Sequence, residues 1–129
     1  MIIVDSSVWI DYFNGVHGPA TDRLDDLLPT DFLGIGDLIL TEVLQGFRTE
    51  SDAERGLRAL RPLTLYPMLG PEMAIRSAAN YRWLRRRGVT VRKTIDVIIA
   101  SFCIDHGHRL LFVDRDFLPF VEHLGLQTA

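Results

Sequence analysis

Two hydrophobic rhythms alternate along the chain. Ile2, Ile3 and Val4 form a short unbroken apolar run ended by Asp5 and two serines, the pattern of a buried parallel strand feeding a helix. Val8, Trp9, Tyr12 and Phe13 then recur at helical spacing, with Ser6 or Ser7 as N-cap and Asn14-Gly15 as the stop. Leu24, Leu27 and Leu28 predict a short helix, and Phe32 to Ile35 a second strand. Leu38 to Phe47 reads as a helix broken near Gly46, with Asp37 able to cap it. Ala53 to Leu60 is another helix, ending at Pro62, and Leu63 to Tyr66 a third strand.

The second half repeats the alternation. Pro71 suits the first turn of a long helix that carries Ala74, Ala78 and Tyr81 on one face and stops at Gly88. Thr94 is placed to cap the next helix, which is apolar at nearly every position from Ile95 to Ile104 and should be buried on most sides until Gly107 ends it. Arg109 to Val113 predicts a fourth strand, Phe117 to Leu124 a helical turn, and Leu126-Gln127 a short edge strand. Strands that alternate with helices imply a three-layer α/β/α domain around a central, mainly parallel sheet of four to five strands. With 129 residues, no linker and no repeat, the expectation is a single domain over residues 1–129.

Composition adds a compartment and a charge pattern. No apolar run is long enough to span a membrane, and the first residues lack the basic start of a signal peptide, so a cytoplasmic protein with no membrane partner is expected. The single cysteine, Cys103, lies among Phe102, Ile104 and Ile99 and reads as a packed core residue. The net charge of −3 argues against nucleic acid only until its distribution is considered. Seven of the fourteen basic residues, Arg76, Arg82, Arg85, Arg86, Arg87, Arg92 and Lys93, fall in one stretch that has no acidic residue. Two divalent cations in an acidic pocket would also reverse the sign of the net charge.

The acids supply the candidate chemistry. Asp5 follows the first strand, and Asp114 and Asp116 follow the fourth, at the strand ends where open parallel sheets place their ligand crevices. If those strands are neighbours, the acids converge. Glu42 interrupts the apolar helix of Leu38, Ile39, Leu40, Val43 and Leu44, and Asp96 opens the buried helix near the positive end of its dipole. Singly, each acid is explained by helix capping or by exposure at a helix corner. Together, four separate segments each deliver an acid beside strongly apolar sequence, and lone buried charges are too costly to be scattered. His17, His106, His108 and His123 have no ligand spacing, so the donor set is oxygen only and suits Mg2+ or Mn2+ over zinc. Two such ions roughly 4 Å apart would serve in-line phosphodiester hydrolysis without a covalent nucleophile. Asp5 and Asp96 are the principal ligands in this reading, with Glu42 and Asp114 as ligands or water-orienting groups and Asp116 as a fifth member or a cap. Ser6 and Thr94 would support them by hydrogen bonds.

Four segments now stand together: Ile3-Val4-Asp5-Ser6-Ser7-Val8-Trp9-Ile10, Thr41-Glu42-Val43-Leu44-Gln45-Gly46, Thr94-Ile95-Asp96-Val97-Ile98-Ile99-Ala100 and Asp114-Arg115-Asp116-Phe117. As an ordered set covering the whole chain, they resemble the PIN-domain ribonuclease toxins of the VapC family. The resemblance implies a PIN-like fold, a Mg2+-dependent endoribonuclease, a homodimer, and a cognate VapB-type antitoxin encoded by a neighbouring gene. Ser6-Ser7 departs from the threonine and small or amide residue that many relatives carry there. Arg82, Arg85 and Arg86 share one helix face and, with Arg92 and Lys93, mark a candidate RNA surface, near which Tyr81 and Trp83 would be available for stacking. The apolar side of the helix that carries Trp9, Tyr12 and Phe13, and that of Leu38 to Phe47, are candidate antitoxin docking faces.

Rival readings are weaker. A haloacid-dehalogenase-type phosphatase needs an aspartate where Ser7 stands, and a phospho-receiver domain needs a lysine late in the sheet, whereas the only lysine, Lys93, precedes a helix. The alternative of a different kind is a PIN-like module that binds RNA or protein without cutting, although such a module has no reason to gather four repelling carboxylates.

Overall fold

The computed structural model describes residues 1–129. Its elements follow in chain order: β1 (Ile2–Val4), α1 (Ser6–Phe13), α2 (Pro19–Leu27), β2 (Leu33–Gly36), α3 (Asp37–Gln45), α4 (Glu50–Leu60) and β3 (Thr64–Tyr66). After these come α5 (Pro71–Arg86), α6 (Thr94–His106), β4 (Arg109–Leu111), a 3-10 turn at Arg115–Phe117, α7 (Leu118–Leu124) and β5 (Gln127–Thr128). The five strands form one sheet in the order β3-β2-β1-β4-β5, and every pairing is parallel. The expected α/β sheet is therefore present, with its fifth strand one residue later than the pattern predicts.

β1 occupies the centre and is buried throughout, which is why its sequence is continuously apolar. Its register places Ile3 opposite Gly34 on one side and Leu110 on the other. The chain runs from β1 to α1 and on to β2 on one side of the sheet, while β4 pairs with β1 on the other. That change of direction opens a crevice beyond the carboxyl ends of β1 and β4. The Asp5 amide donates to the Leu111 carbonyl (2.9 Å), which carries the ladder up to the edge of this crevice. A cluster of 26 buried apolar residues joins the sheet to its covering helices.

Several local expectations are corrected. The N-cap of α1 is Asp5, so Ser6 and Ser7 are already helical, and the Asp5 side chain makes no capping hydrogen bond to the helix. Gly36 caps α3; Asp37 instead accepts from the Leu38 amide (2.9 Å) and the Met68 amide (3.0 Å), tying the segment after β3 to the start of α3. Lys93 is the N-cap of α6 and Thr94 its first residue. β4 ends at Leu111, because Phe112 and Val113 peel away from the sheet toward Asp114. The buried face of α5 is Met73, Ser77 and Leu84, and Ala74 and Ala78 are exposed. Ala74, Ala78 and Tyr81 do share one side of the helix, where they line a cavity between α5 and α6.

α6 is buried on most of its circumference, as its sequence requires, from Asp96 through Cys103. Gly107 ends it in the left-handed conformation (φ 70°), which is cheap only for glycine. α5 is bound to α6 by a hydrogen bond from the Asn80 side-chain Nδ2 to Ser101 Oγ (2.9 Å) and by an ion pair between Arg76 and Asp105. No helix is long and apolar enough to cross a membrane.

Candidate metal centre

Each acid reaches the crevice from a different element. Asp5 leaves the end of β1, Asp114 follows the short segment after β4, Glu42 projects from α3, and Asp96 sits in the first turn of α6. Asp96, Asp114 and Asp116 each offer a carboxylate oxygen, and these oxygens lie within 4.8 Å of one another. Asp5 and Glu42 complete the group electrostatically: the Asp5 charge raises the pKa of both Glu42 and Asp96, and the Asp114 charge raises those of Asp5 and Asp96. Adjacency of β1 and β4, left conditional by the sequence, is what brings the acids together.

The pocket is costly to the free protein. Asp5 and Asp96 are only 4% and 5% exposed. Burial is the main cause raising the pKa of Asp5, Glu42 and Asp96, with repulsion among the acids adding to it, and Asp96 is pushed up to about 7. Hydrogen bonds offset part of this: the Ser7 hydroxyl donates to Asp5 Oδ2 (2.8 Å), and the Ser6 side chain acts in the same sense on Glu42. Even so, Asp5 Oδ1, Glu42 Oε1 and Asp96 Oδ2 are all buried without a partner. Three orphaned carboxylate oxygens facing one crevice are a donor set for a cation, since a buried acceptor normally finds a hydrogen-bond donor. Oxygen ligands of this kind suit a hard divalent ion.

The remaining candidates divide. Asp114 combines both readings, because its Oδ1 accepts from the Asp116 amide (2.9 Å) and caps the 3-10 turn while Oδ2 faces the pocket side and Lys93. Asp116 is not a cap and belongs to the three-acid group. Ser6 lies against Glu42, whereas Thr94 is exposed and lines a cavity of about 480 Å³ between α5 and α6. Thr94 therefore does not support the acids by a hydrogen bond. Ser7, overlooked as a supporting residue, holds that role for Asp5; its position two residues after a strand-ending aspartate was the available signal.

Arg82, Arg85 and Arg86 are exposed on α5, and Arg82 and Arg92 border the same 480 Å³ cavity. Arg92 Nη2 is 3.7 Å from Asp116 and Lys93 Nζ 3.8 Å from Asp114, so these two cations adjoin the acids. The aromatic rings of α5 are already covered by the helix's own arginines: Arg87 lies 3.2 Å over Trp83, and Arg85 5.5 Å over Tyr81. His106 and His108 are parallel to each other and pack against Phe102, away from the acids.

A five-stranded parallel α/β sheet with acids converging beyond β1 and β4 defines a class, and comparison with known proteins identifies it. The PIN domain model matches residues 2–120, and the chain belongs to that family. Within it, the chain is 34% identical to Ribonuclease VapC11 of Mycobacterium tuberculosis and to a VapC ribonuclease of Mycobacterium bovis, each over 100% of this chain and 98% of the relative. Two solved structures share the fold. VapBC2 from Rickettsia felis, bound to a DNA fragment from its promoter, superposes with a TM-score of 0.76 at 17% identity, covering 100% of this chain and 98% of that one. A toxin–antitoxin complex from Klebsiella pneumoniae gives 0.73 at 20% identity, covering 99% and 97%.

Proposed function

We propose that this chain is a Mg2+-dependent endoribonuclease and the toxin of a type II toxin–antitoxin pair, whose cleavage of RNA inhibits translation or growth. The observation that carries the proposal is the set of buried, unpartnered carboxylate oxygens on Asp5, Glu42 and Asp96. Full-length similarity to proteins named as VapC ribonucleases supports the same reading. Asp5 and Asp96 are the principal ligands, with Glu42, Asp114 and Asp116 completing the set. Bound Mg2+, or Mn2+ in its place, supplies activation of a water and stabilisation of the leaving 3′ oxygen. Glu42 and Asp114 would serve as ligands or as the carboxylates that orient the attacking water. Ser7 keeps Asp5 in one rotamer.

Arg82, Arg85, Arg86, Arg92 and Lys93 contribute phosphate contacts along α5 and its approach to α6. A VapB-type antitoxin is the expected partner, docking on the side of α1 and α3 where Ile10, Phe13, Val43 and Phe47 border a small cavity. A pull-down in which substitutions at Ile10 and Phe13 leave antitoxin capture unchanged would remove that assignment. The chain acts as a cytoplasmic homodimer in this reading, and light scattering checks the assembly.

The deciding experiment exposes total RNA to the protein with Mg2+, with EDTA, and as Asp5→Asn or Asp96→Asn, and sequences the new ends. Discrete cuts that need both the ion and the acids are expected. Intact RNA from folded protein under every condition would instead favour a binding module without nuclease activity.

A further inference from the structure

Of the chain's basic residues, Arg92 and Lys93 are the two that face the carboxylate pocket. Lys93 Nζ is 3.8 Å from Asp114 Oδ2 and Arg92 Nη2 is 3.7 Å from Asp116 Oδ1. The Lys93 charge is also felt at Glu42 and Asp96, so it acts on the pocket as a whole and not on one partner. Both contacts are longer than a hydrogen bond, and the side chains are 60% and 82% exposed. Pairs of that kind hold weakly and exchange readily with solvent ions.

The backbone under Lys93 is fixed, in contrast to its side chain. As N-cap of α6, Lys93 accepts at its carbonyl from the amides of Asp96 (3.2 Å) and Val97 (3.3 Å). Asp96 follows three positions on, after Thr94 and Ile95, so the same helix start presents one acid inward and one ammonium on a four-carbon arm beside it. Resting on the metal-centre reading above, we propose that Lys93, with Arg92 next to it, is an exchangeable internal counter-cation of the pocket. Its ammonium stands beside Asp114 when no divalent ion is bound and is displaced outward when one enters. A divalent ion held by Asp114 would repel an ammonium 3.8 Å from the same carboxylate, which favours displacement of the ammonium toward solvent. Once displaced, it sits at the mouth of the crevice as a free cation for a phosphate. Ion loading and readiness for an anionic substrate are thereby coupled through one side chain.

The test is a Mn2+ titration without RNA, following the electron paramagnetic resonance signal of the free ion, on wild type, Lys93→Met and Lys93→Arg. Removing one positive charge a few ångströms from a divalent site should tighten Mn2+ binding by roughly threefold to thirtyfold in Lys93→Met, more so at low salt, and Lys93→Arg should stay near wild type. Equal affinity in wild type and Lys93→Met overturns the counter-cation role and leaves the metal centre standing. If Mn2+ binds no better to wild type than to Asp96→Asn, the metal-centre reading itself fails, and the counter-cation with it.

Discussion

Replacing Asp96 by asparagine should abolish cleavage and yet stabilise the metal-free protein. The Asp96 carboxyl is raised from 3.8 to about 7, first by burial and then by the charge of Asp5. Between those two values the folded protein retains a proton that the unfolded chain has released. Stability therefore falls as pH rises across that window, and the whole penalty is present above about pH 7. A shift of about three units corresponds to roughly 4 kcal/mol, at about 1.36 kcal/mol per unit. The repulsion is shared with the neighbouring acids and solvent screening reduces it, so about 1–3 kcal/mol is assigned to Asp96 alone. For a chain of this size that is a rise in Tm of roughly 3–12 °C. The assay is thermal and urea denaturation in EDTA from pH 5 to 8.5. Asp96→Asn should exceed wild type at pH 8 by a margin that narrows toward pH 5 and would close only near the unfolded value of 3.8, and it should show a shallower pH dependence; the raised pKa values of Asp5 and Glu42 keep some slope in the variant. Saturating Mg2+ should reverse the order, because only wild type gains from binding the ion. An asparagine variant less stable than wild type at pH 8 in EDTA would refute the reasoning, as would a wild-type stability independent of pH.

Two further outcomes test the scaffold. Gly36→Ala places a methyl group 1.9 Å from Met68 Sδ, at the junction of β2 and α3 next to the crevice, and should cost about 1–3 kcal/mol by urea denaturation; an unchanged midpoint would mean that Met68 moves aside freely. Cys103 is fully buried and its thiol is pushed up to about 12, so a thiol reagent at pH 8 should label it only at the rate of unfolding, and rapid labelling of the native protein would contradict its place in the core.

How much was legible in advance depended on the kind of signal. β1 and α6 were plain because both are buried on nearly every side, so burial alone wrote a continuous apolar run into each. The carboxylates were legible for a related reason: an acid at the end of such a run is anomalous unless something offsets its charge. Helix caps were misassigned because Ser6, Ser7 and Thr94 have capping side chains, whereas at each of these helices the start is set by where the chain leaves the preceding strand or loop. The face of α5 was missed because Ala74 and Ala78 are compatible with either burial or exposure, and only the fit against α6 chooses.

The local grammar of the chain, its alternating strands and helices, its isolated core thiol and the five acids with their oxygen-only chemistry, is therefore a property of the sequence by itself. Tertiary structure decided which of these parts meet. The pairing of β1 with β4, in preference to any other strand order, brings Asp5 to Asp114, and the packing of α3 and α6 over the same edge adds Glu42 and Asp96. The orphaned oxygens, the raised pKa values and the proximity of Arg92 and Lys93 to the acids exist only in that arrangement. The physical reason is range: propensity and periodicity act over a few residues, whereas desolvation and charge repulsion depend on neighbours that are far apart in the chain.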